Sequence, residues 1–253
     1  MRKFVDLHLC PSVQDVDGVK RMITKCSELG YRVVGIPLTP DIGQEKVRQL
    51  QDICDSAKLD FVTRVDFFSK TPSELLYDLR RLRRRFEVVS VVCGSKPVAR
   101  QAAKDRRVDL LSFSATDLRR RFFDHAEAEL SSKALSSLEI DLAPLLSLTG
   151  RSRIRLFSRL RRELAIAKRF NVPVTVSSGA TNEYLMRSPH DYAALTTLFD
   201  MPLSSALVCL SENPLGIVMR NREKLSPNYV APGIRVVRRK KLVSPRKKTI
   251  PRN

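Results

Sequence analysis

The side chains best suited to chemistry stand near the start of the chain, where Asp6-Leu7-His8-Leu9-Cys10 continues the apolar pair Phe4-Val5. Asp, His and Cys at every second position can ligate a metal ion, and the end of a barrel strand is where barrel enzymes carry out their reactions. Asp66, Glu139 and Asp141 in later apolar runs add oxygen ligands. Such a set would support metal-assisted phosphoester hydrolysis, with Asp6, His8, Asp66 and Asp141 as ligands. Three observations weigh against it. The chain has only three histidines, His8, His125 and His190, and the last falls in the first turn of an expected helix. A Cys10 thiolate could bind zinc but suits hard, oxygen-preferring ions poorly. Arg64, two residues before Asp66, lies on the same strand face and can neutralise it. Asp6, His8 and Asp66 therefore read as candidates for an incomplete metal site, and no catalytic residue or bound metal is assigned.

Other reactive arrangements are missing. Gly94-Ser95-Lys96 is isolated and the nine glycines are dispersed, so no glycine-rich phosphate loop is present. Three histidines assemble no Ser/His/Asp or Cys/His set. Ser177-Ser178-Gly179 could cradle a phosphate through backbone N–H groups, or could simply be a tight polar turn.

Seven short apolar runs, each followed by a helix-like segment, must position these residues: 4–9, 33–38, 61–68, 88–93, 108–113, 138–142 and 172–176. Val88-Val89-Ser90-Val91-Val92 is apolar on both faces, as a parallel strand covered on both sides should be. Seven strand-helix units predict an α/β, TIM-barrel-like fold with parallel strands and outer helices. No eighth strand is legible, because Ser205–Leu210 sits among helix signals. Residues 1–225 are expected to form one barrel domain, and 226–253 a basic, mobile tail in which Val236-Val237 could add an edge strand.

Helix starts are spelled out by type. Ser188-Pro189-His190-Asp191 offers a capping serine, a proline in the first turn and an acid at the positive end of the dipole. Thr71-Pro72-Ser73-Glu74 resembles a capping box, and Asn213-Pro214 repeats the proline device. In the helix opened at Thr71, Leu75, Leu79, Leu82 and Phe86 form one face and Arg80, Arg81, Arg83, Arg84 and Arg85 the other. In 151–169, Phe157, Leu160, Leu164 and Ala167 oppose Arg155, Arg159 and Arg162.

Lys and Arg number 46 against 27 acidic residues, a net charge of +19. Nine of the basic residues lie in 226–253, which has no acid; the remainder still carries +10. Arginine clusters at 80–85, 100–107, 119–121, 151–162 and 220–224 repel one another unless a polyanion neutralises them. Aromatics make up 6% and Trp is absent, which disfavours a stacking platform for single-stranded bases. Folded RNA recognised through its backbone fits best, with Arg80, Arg84, Arg107, Arg155, Arg159, Arg162, Arg239, Lys240 and Lys241 as the candidate contacts. DNA carries the same charge, but no helix-turn-helix, finger or zipper pattern is present. Five scattered cysteines, no signal-peptide pattern and no apolar run near ~20 residues predict a cytoplasmic protein away from membranes.

The ordered set SSGA, SPHDYAALTTLF and SENPLGIVMRNR in 177–222 resembles the archaeal ribonuclease P protein component 3 family, with a weaker likeness at Phe4–Leu9. That resemblance implies a TIM-barrel-like fold related to the polymerase and histidinol phosphatase superfamily. In that superfamily the first strand carries a D-x-H-x-H metal pattern, of which Asp6 and His8 match and Cys10 departs, so the resemblance implies that the incomplete site of Asp6, His8 and Asp66 is vestigial. It also implies a subunit that supports RNA-catalysed removal of the 5′ leader from precursor tRNA, the magnesium ions being held by RNA and no cofactor by this chain. Implied partners are ribonuclease P RNA, the component 2 protein in a two-by-two assembly, other protein subunits and, indirectly, precursor tRNA. The competing readings are a metal-dependent phosphoesterase and a general structured-RNA-binding protein.

Overall fold

The computed structural model describes residues 2–231 and 234–235. Strands and helices alternate as β1 (Phe4–Asp6), α1 (Val16–Glu28), β2 (Tyr31–Pro37), α2 (Gln44–Ser56), β3 (Asp60–Phe67), α3 (Pro72–Leu82), β4 (Val88–Val92), α4 (Lys96–Lys104), β5 (Leu110–Ser112), α5 (His125–Ala134) and β6 (Ser137–Asp141). Then come α6 (Ala143–Ser147), α7 (Gly150–Arg169), β7 (Val174–Ser177), α8 (Pro189–Thr196), α9 (Leu203–Cys209), α10 (Glu212–Leu225), β8 (Tyr229–Ala231) and β9 (Ile234–Arg235). The first seven strands form one sheet in sequence order, each pair of neighbours parallel. They coincide with the seven apolar runs and curl into a nearly closed barrel.

Successive residues of each strand serve opposite faces. Val5, Leu7, Val33, Val62, Val88 and Leu110 pack with Ile217 and Val218 of α10, which plugs the N-terminal end of the barrel. Val34, Val65, Val89, Leu111 and Leu138 belong instead to the large outer core beneath the helices.

Seven strands leave a seam between β1 and β7. At its C-terminal end the seam is stitched by a parallel bridge between Leu9 and Ala180, with Cys10 N–H donating to the Ala180 carbonyl at 2.8 Å and Gly179 N–H to that of His8 at 2.9 Å. Towards the N-terminal end the α9–α10 junction takes over. Val5 N–H donates to the Leu210 carbonyl at 2.9 Å, and the Asn213 amide donates to the Val174 carbonyl at 2.8 Å. Two free strand edges are thus satisfied without an eighth strand, as burial of backbone polar groups requires.

This arrangement corrects one expected helix start. Asn213-Pro214 does not open α10; the helix begins at Glu212, and the Asn213 side chain is drawn to β7. Ser188 caps α8 as expected, and Asp191 does more than face the dipole, completing a reciprocal capping box with it. At α3 the Thr71 hydroxyl accepts from Glu74 N–H, but the Glu74 carboxylate reaches Lys70 N–H, one residue before the box position. A shift also occurs in the expected polar face of α3, because Arg83 lies beyond the last helical residue. It is half-buried, donating to the Phe86 carbonyl and pairing with Asp109 at 3.2 Å.

Within the stretch read as a tail, β8 and β9 form an antiparallel hairpin. Val236-Val237, Arg239, Lys240, Lys241 and the rest of the basic run lie outside the described residues. No helix among the described residues is long and apolar enough to cross a membrane.

Candidate functional site

Arg64 occupies the centre of the barrel and is wholly buried. Its guanidinium meets Glu139 fork to fork, at 2.6 and 2.7 Å, and its Nε donates to Asp66 at 2.6 Å and a terminal nitrogen to the Leu7 carbonyl at 3.0 Å. Ser177 and Ser90 add hydroxyl donors to Glu139, at 2.9 and 3.5 Å. Asp66 and Arg64 share a strand face, as expected. The glutamate that completes the pair comes from β6 by barrel geometry alone.

His8 is the second cation of the cluster. A bend at Leu7 ends the regular β1 strand, and the imidazole lies between two carboxylates, Nδ1 2.9 Å from Asp141 and Nε2 3.2 Å from Asp66. Gly35 makes room for that bend: a Cβ there would meet the Leu7 carbonyl oxygen at 2.6 Å. Burial and the Arg64 charge pull the imidazole pKa down, but Asp141 and Asp66 outweigh them and hold it well above its ordinary value. When protonated, the ring can donate to these carboxylates from both nitrogens. Asp66 is the reciprocal case: burial raises its pKa, yet Arg64 and His8 hold the carboxyl well below the usual range.

Asp6 sits apart from this cluster. One carboxylate oxygen accepts from His8 and Ser178 N–H at 3.1 and 3.0 Å, and the other has no partner among the described residues; burial pushes its pKa up. Cys10 is half-buried, its sulfur no closer than 3.9 Å to the His8 carbonyl. The pattern at the first strand thus splits, His8 entering the barrel while Asp6 braces the bend.

A divalent cation does not fit this donor set. Ligand atoms of His8, Glu139 and Asp141 do lie within 4.8 Å of one another. However, both Glu139 oxygens are held by Arg64, both Asp66 oxygens face Arg64 and His8, and both His8 nitrogens face carboxylates. Guanidinium and imidazolium already neutralise the carboxylates a metal would need. The Ser177-Ser178-Gly179 turn is equally committed. The N–H groups of Ser178, Gly179 and Ala180 go to Asp6, the His8 carbonyl and the Ser178 hydroxyl, leaving no phosphate cradle.

The basic candidates divide into free and engaged. Arg80 near the end of α3, Arg84 in the turn after it, and Arg155, Arg159 and Arg162 on α7 are exposed and have no carboxylate partner among the described residues. Arg107 is bound to Asp105 at 2.9 and 2.6 Å. Arg121, counted in an arginine cluster by sequence, is buried and paired with Glu163 of α7. Arg222 likewise joins Asp60 and Glu87. Arg106 and Lys224 fall within the basic clusters 100–107 and 220–224 read from sequence, which did not single them out; both are exposed and have no carboxylate partner among the described residues.

Residues 3–226 match the family model described as RNase P subunit p30. The chain is 26% identical to "Ribonuclease P protein component 3" of Methanococcoides burtonii over 243 residues, covering 93% of this chain and 94% of that one. Against the protein of the same description from Methanosarcina barkeri, identity is 29%, covering 93% and 96%. Among solved structures, a chain in the cryo-EM structure of archaeal ribonuclease P with mature tRNA superimposes with a TM-score of 0.78 at 22% identity, covering 94% of this chain and 99% of that one.

Proposed function

The chain belongs to the RNase P subunit p30 family, and from that premise we propose that it acts as a non-catalytic scaffold within ribonuclease P. As a protein subunit of that ribonucleoprotein it supports endonucleolytic removal of the 5′ leader from precursor tRNA. The observation that carries this reading is the family match over 3–226, which takes in the whole barrel. Chemistry then belongs to magnesium ions held by the RNA, and the chain itself binds no cofactor. Support for a non-catalytic barrel comes from Arg64, whose permanent positive charge is spent on Glu139 and Asp66, and from His8, whose two nitrogens face Asp66 and Asp141, carboxylates that a metal-dependent phosphoesterase would need for its ions.

Ribonuclease P RNA is the direct partner under this reading, joined by the component 2 protein in a two-by-two assembly and by other protein subunits; precursor tRNA is engaged indirectly. Arg80, Arg84, Arg155, Arg159 and Arg162, which have no carboxylate partner among the described residues, supply phosphate contacts. The assembly works in the cytoplasm, in keeping with five unbonded cysteines.

Reconstitution tests the reading. Holoenzyme lacking this chain should cleave precursor tRNA more slowly at limiting magnesium, and adding it should restore the rate. Equal rates with and without it would overturn the proposal. Stoichiometric zinc, manganese or iron in the purified protein, lost in His8→Ala, would instead favour a phosphoesterase.

A further inference from the structure

The turns after α3 and α4 lead into the N-terminal ends of β4 and β5, and the end of α10 crosses the same end of the barrel. Asn221 ties that helix down by donating to the Glu87 carbonyl at 2.8 Å. Between them opens a groove of 570 Å3 whose lining includes Arg83, Arg84, Arg106, Arg107, Lys224 and Tyr229. Five cations from three separate segments face one cleft on the opposite end of the barrel from His8.

Acidic residues near the groove engage only two of the five, Arg83 and Arg107. Asp109 is buried and clamped between Arg83 and Arg220, each at 3.2 Å, and both Asp105 oxygens go to Arg107. Glu223, beside Lys224, has a partner of its own. Arg84, Arg106 and Lys224 are exposed and have no acceptor among the described residues. Crowding is felt at Lys224, whose pKa burial and Arg220 pull below the usual lysine value, Arg83 and Arg106 adding to the pull against Asp109. Like charges gathered with their donors unspent cost the free protein self-repulsion, which a bound anion relieves.

We propose that this groove at the N-terminal end of the barrel is a seat for the phosphodiester backbone of structured RNA, with Arg84, Arg106 and Lys224 as its phosphate contacts. The inference deepens the ribonuclease P reading and rests on it, since that reading supplies the RNA. Guanidinium forks on two neighbouring turns suit successive phosphates, and Tyr229 lends the groove wall a half-buried ring. An open, cation-lined cleft reads backbone and shape rather than base edges.

The test follows retention of labelled ribonuclease P RNA by the full chain, alone and with its companion subunits, across a salt series. In the variant Arg84→Gln/Arg106→Gln/Lys224→Gln, affinity should fall at least about tenfold and the salt slope by about 1 per lost contact. A control of equal charge change, Lys20→Gln/Arg48→Gln/Lys70→Gln, alters exposed side chains without partners elsewhere and should keep the wild-type slope. Equal losses in both variants, or none in the groove variant, overturn the groove while leaving the ribonuclease P reading intact. Loss of a companion protein from the groove variant with RNA affinity unchanged overturns it too. Absence of RNA binding by the wild-type chain in every assembly overturns the reading itself. Because none of the three groove side chains has a hydrogen-bond or carboxylate partner among the described residues, the groove variant should melt at or above the wild-type temperature.

Discussion

Arg64 and Glu139 face each other fork to fork at 2.6 and 2.7 Å in the middle of the barrel, both without solvent exposure. The pair joins β3 to β6, strands that are not neighbours in the sheet, and so spans the barrel interior. A guanidinium is a permanent cation with fixed directions; it orients three acceptors at once and cannot be exchanged or chelated. A barrel built around it gains a unique internal geometry and gives up the open coordination positions that hydrolytic metal chemistry requires.

Removing one member of this pair strands the other. Arg64→Met should destabilise the fold by about 3–5 kcal/mol, because Glu139 and Asp66 lose their counter-ion in a buried site. Urea unfolding measures this, and Arg64→Met/Glu139→Gln should recover part of the loss. A cost below about 1 kcal/mol for Arg64→Met would mean that the cluster is hydrated and the pair unimportant.

Stability should also depend on pH through His8. Its folded pKa is raised, so its contribution is complete below the unfolded imidazole value, about 6.5, and is lost as pH rises through the folded value. Asp66 is depressed, so its contribution is present above about 3.9 and is lost only as pH falls through its lower folded value. Wild-type protein should therefore weaken on the alkaline side, whereas His8→Gln should lose about 2 kcal/mol at neutral pH and show a flatter alkaline limb. Parallel alkaline limbs in the two proteins would refute a charged His8.

How much of this could be read from the chain depends on the range of the interaction. Seven strands, the Ser188 cap and the face shared by Arg64 and Asp66 were legible because they rest on spacings of two to four residues. The meeting of Arg64 with Glu139 was not, since it spans 75 residues and follows from strand order in a closing sheet. Glu163 shows the reverse error. By sequence it is one acid on a basic helix, and only its burial against Arg121 reveals that a residue of an arginine cluster has been consumed inside the fold.

That distinction between consumed and free arginines is measurable. Arg121→Ala should lower stability by about 3–5 kcal/mol by leaving Glu163 buried and unpaired. Arg155→Ala/Arg159→Ala/Arg162→Ala, on the exposed side of α7, should leave the melting temperature nearly unchanged and weaken RNA retention with a reduced salt slope. If Arg121→Ala melts like wild type, the buried pair contributes no stability; if the α7 triple variant binds RNA normally, that face is not a contact.

The seam between β1 and β7 gives a further expectation. A seven-stranded barrel leaves two strand edges facing one another too far apart to pair along their length, and Asn213 closes the β7 side by donating to the Val174 carbonyl. Asn213→Ala leaves that carbonyl without its donor at the seam, at a cost of about 1–3 kcal/mol. Asn213→Asp is the sharper probe. It keeps size and shape but replaces the donor by an acceptor, so it should cost more than alanine, with hydrogen exchange in β7 rising ahead of that in β3 and β4. Alanine and aspartate variants as stable as wild type, with β7 protected equally, would show that the Leu9–Ala180 bridge and the Val5–Leu210 bond hold the seam without Asn213.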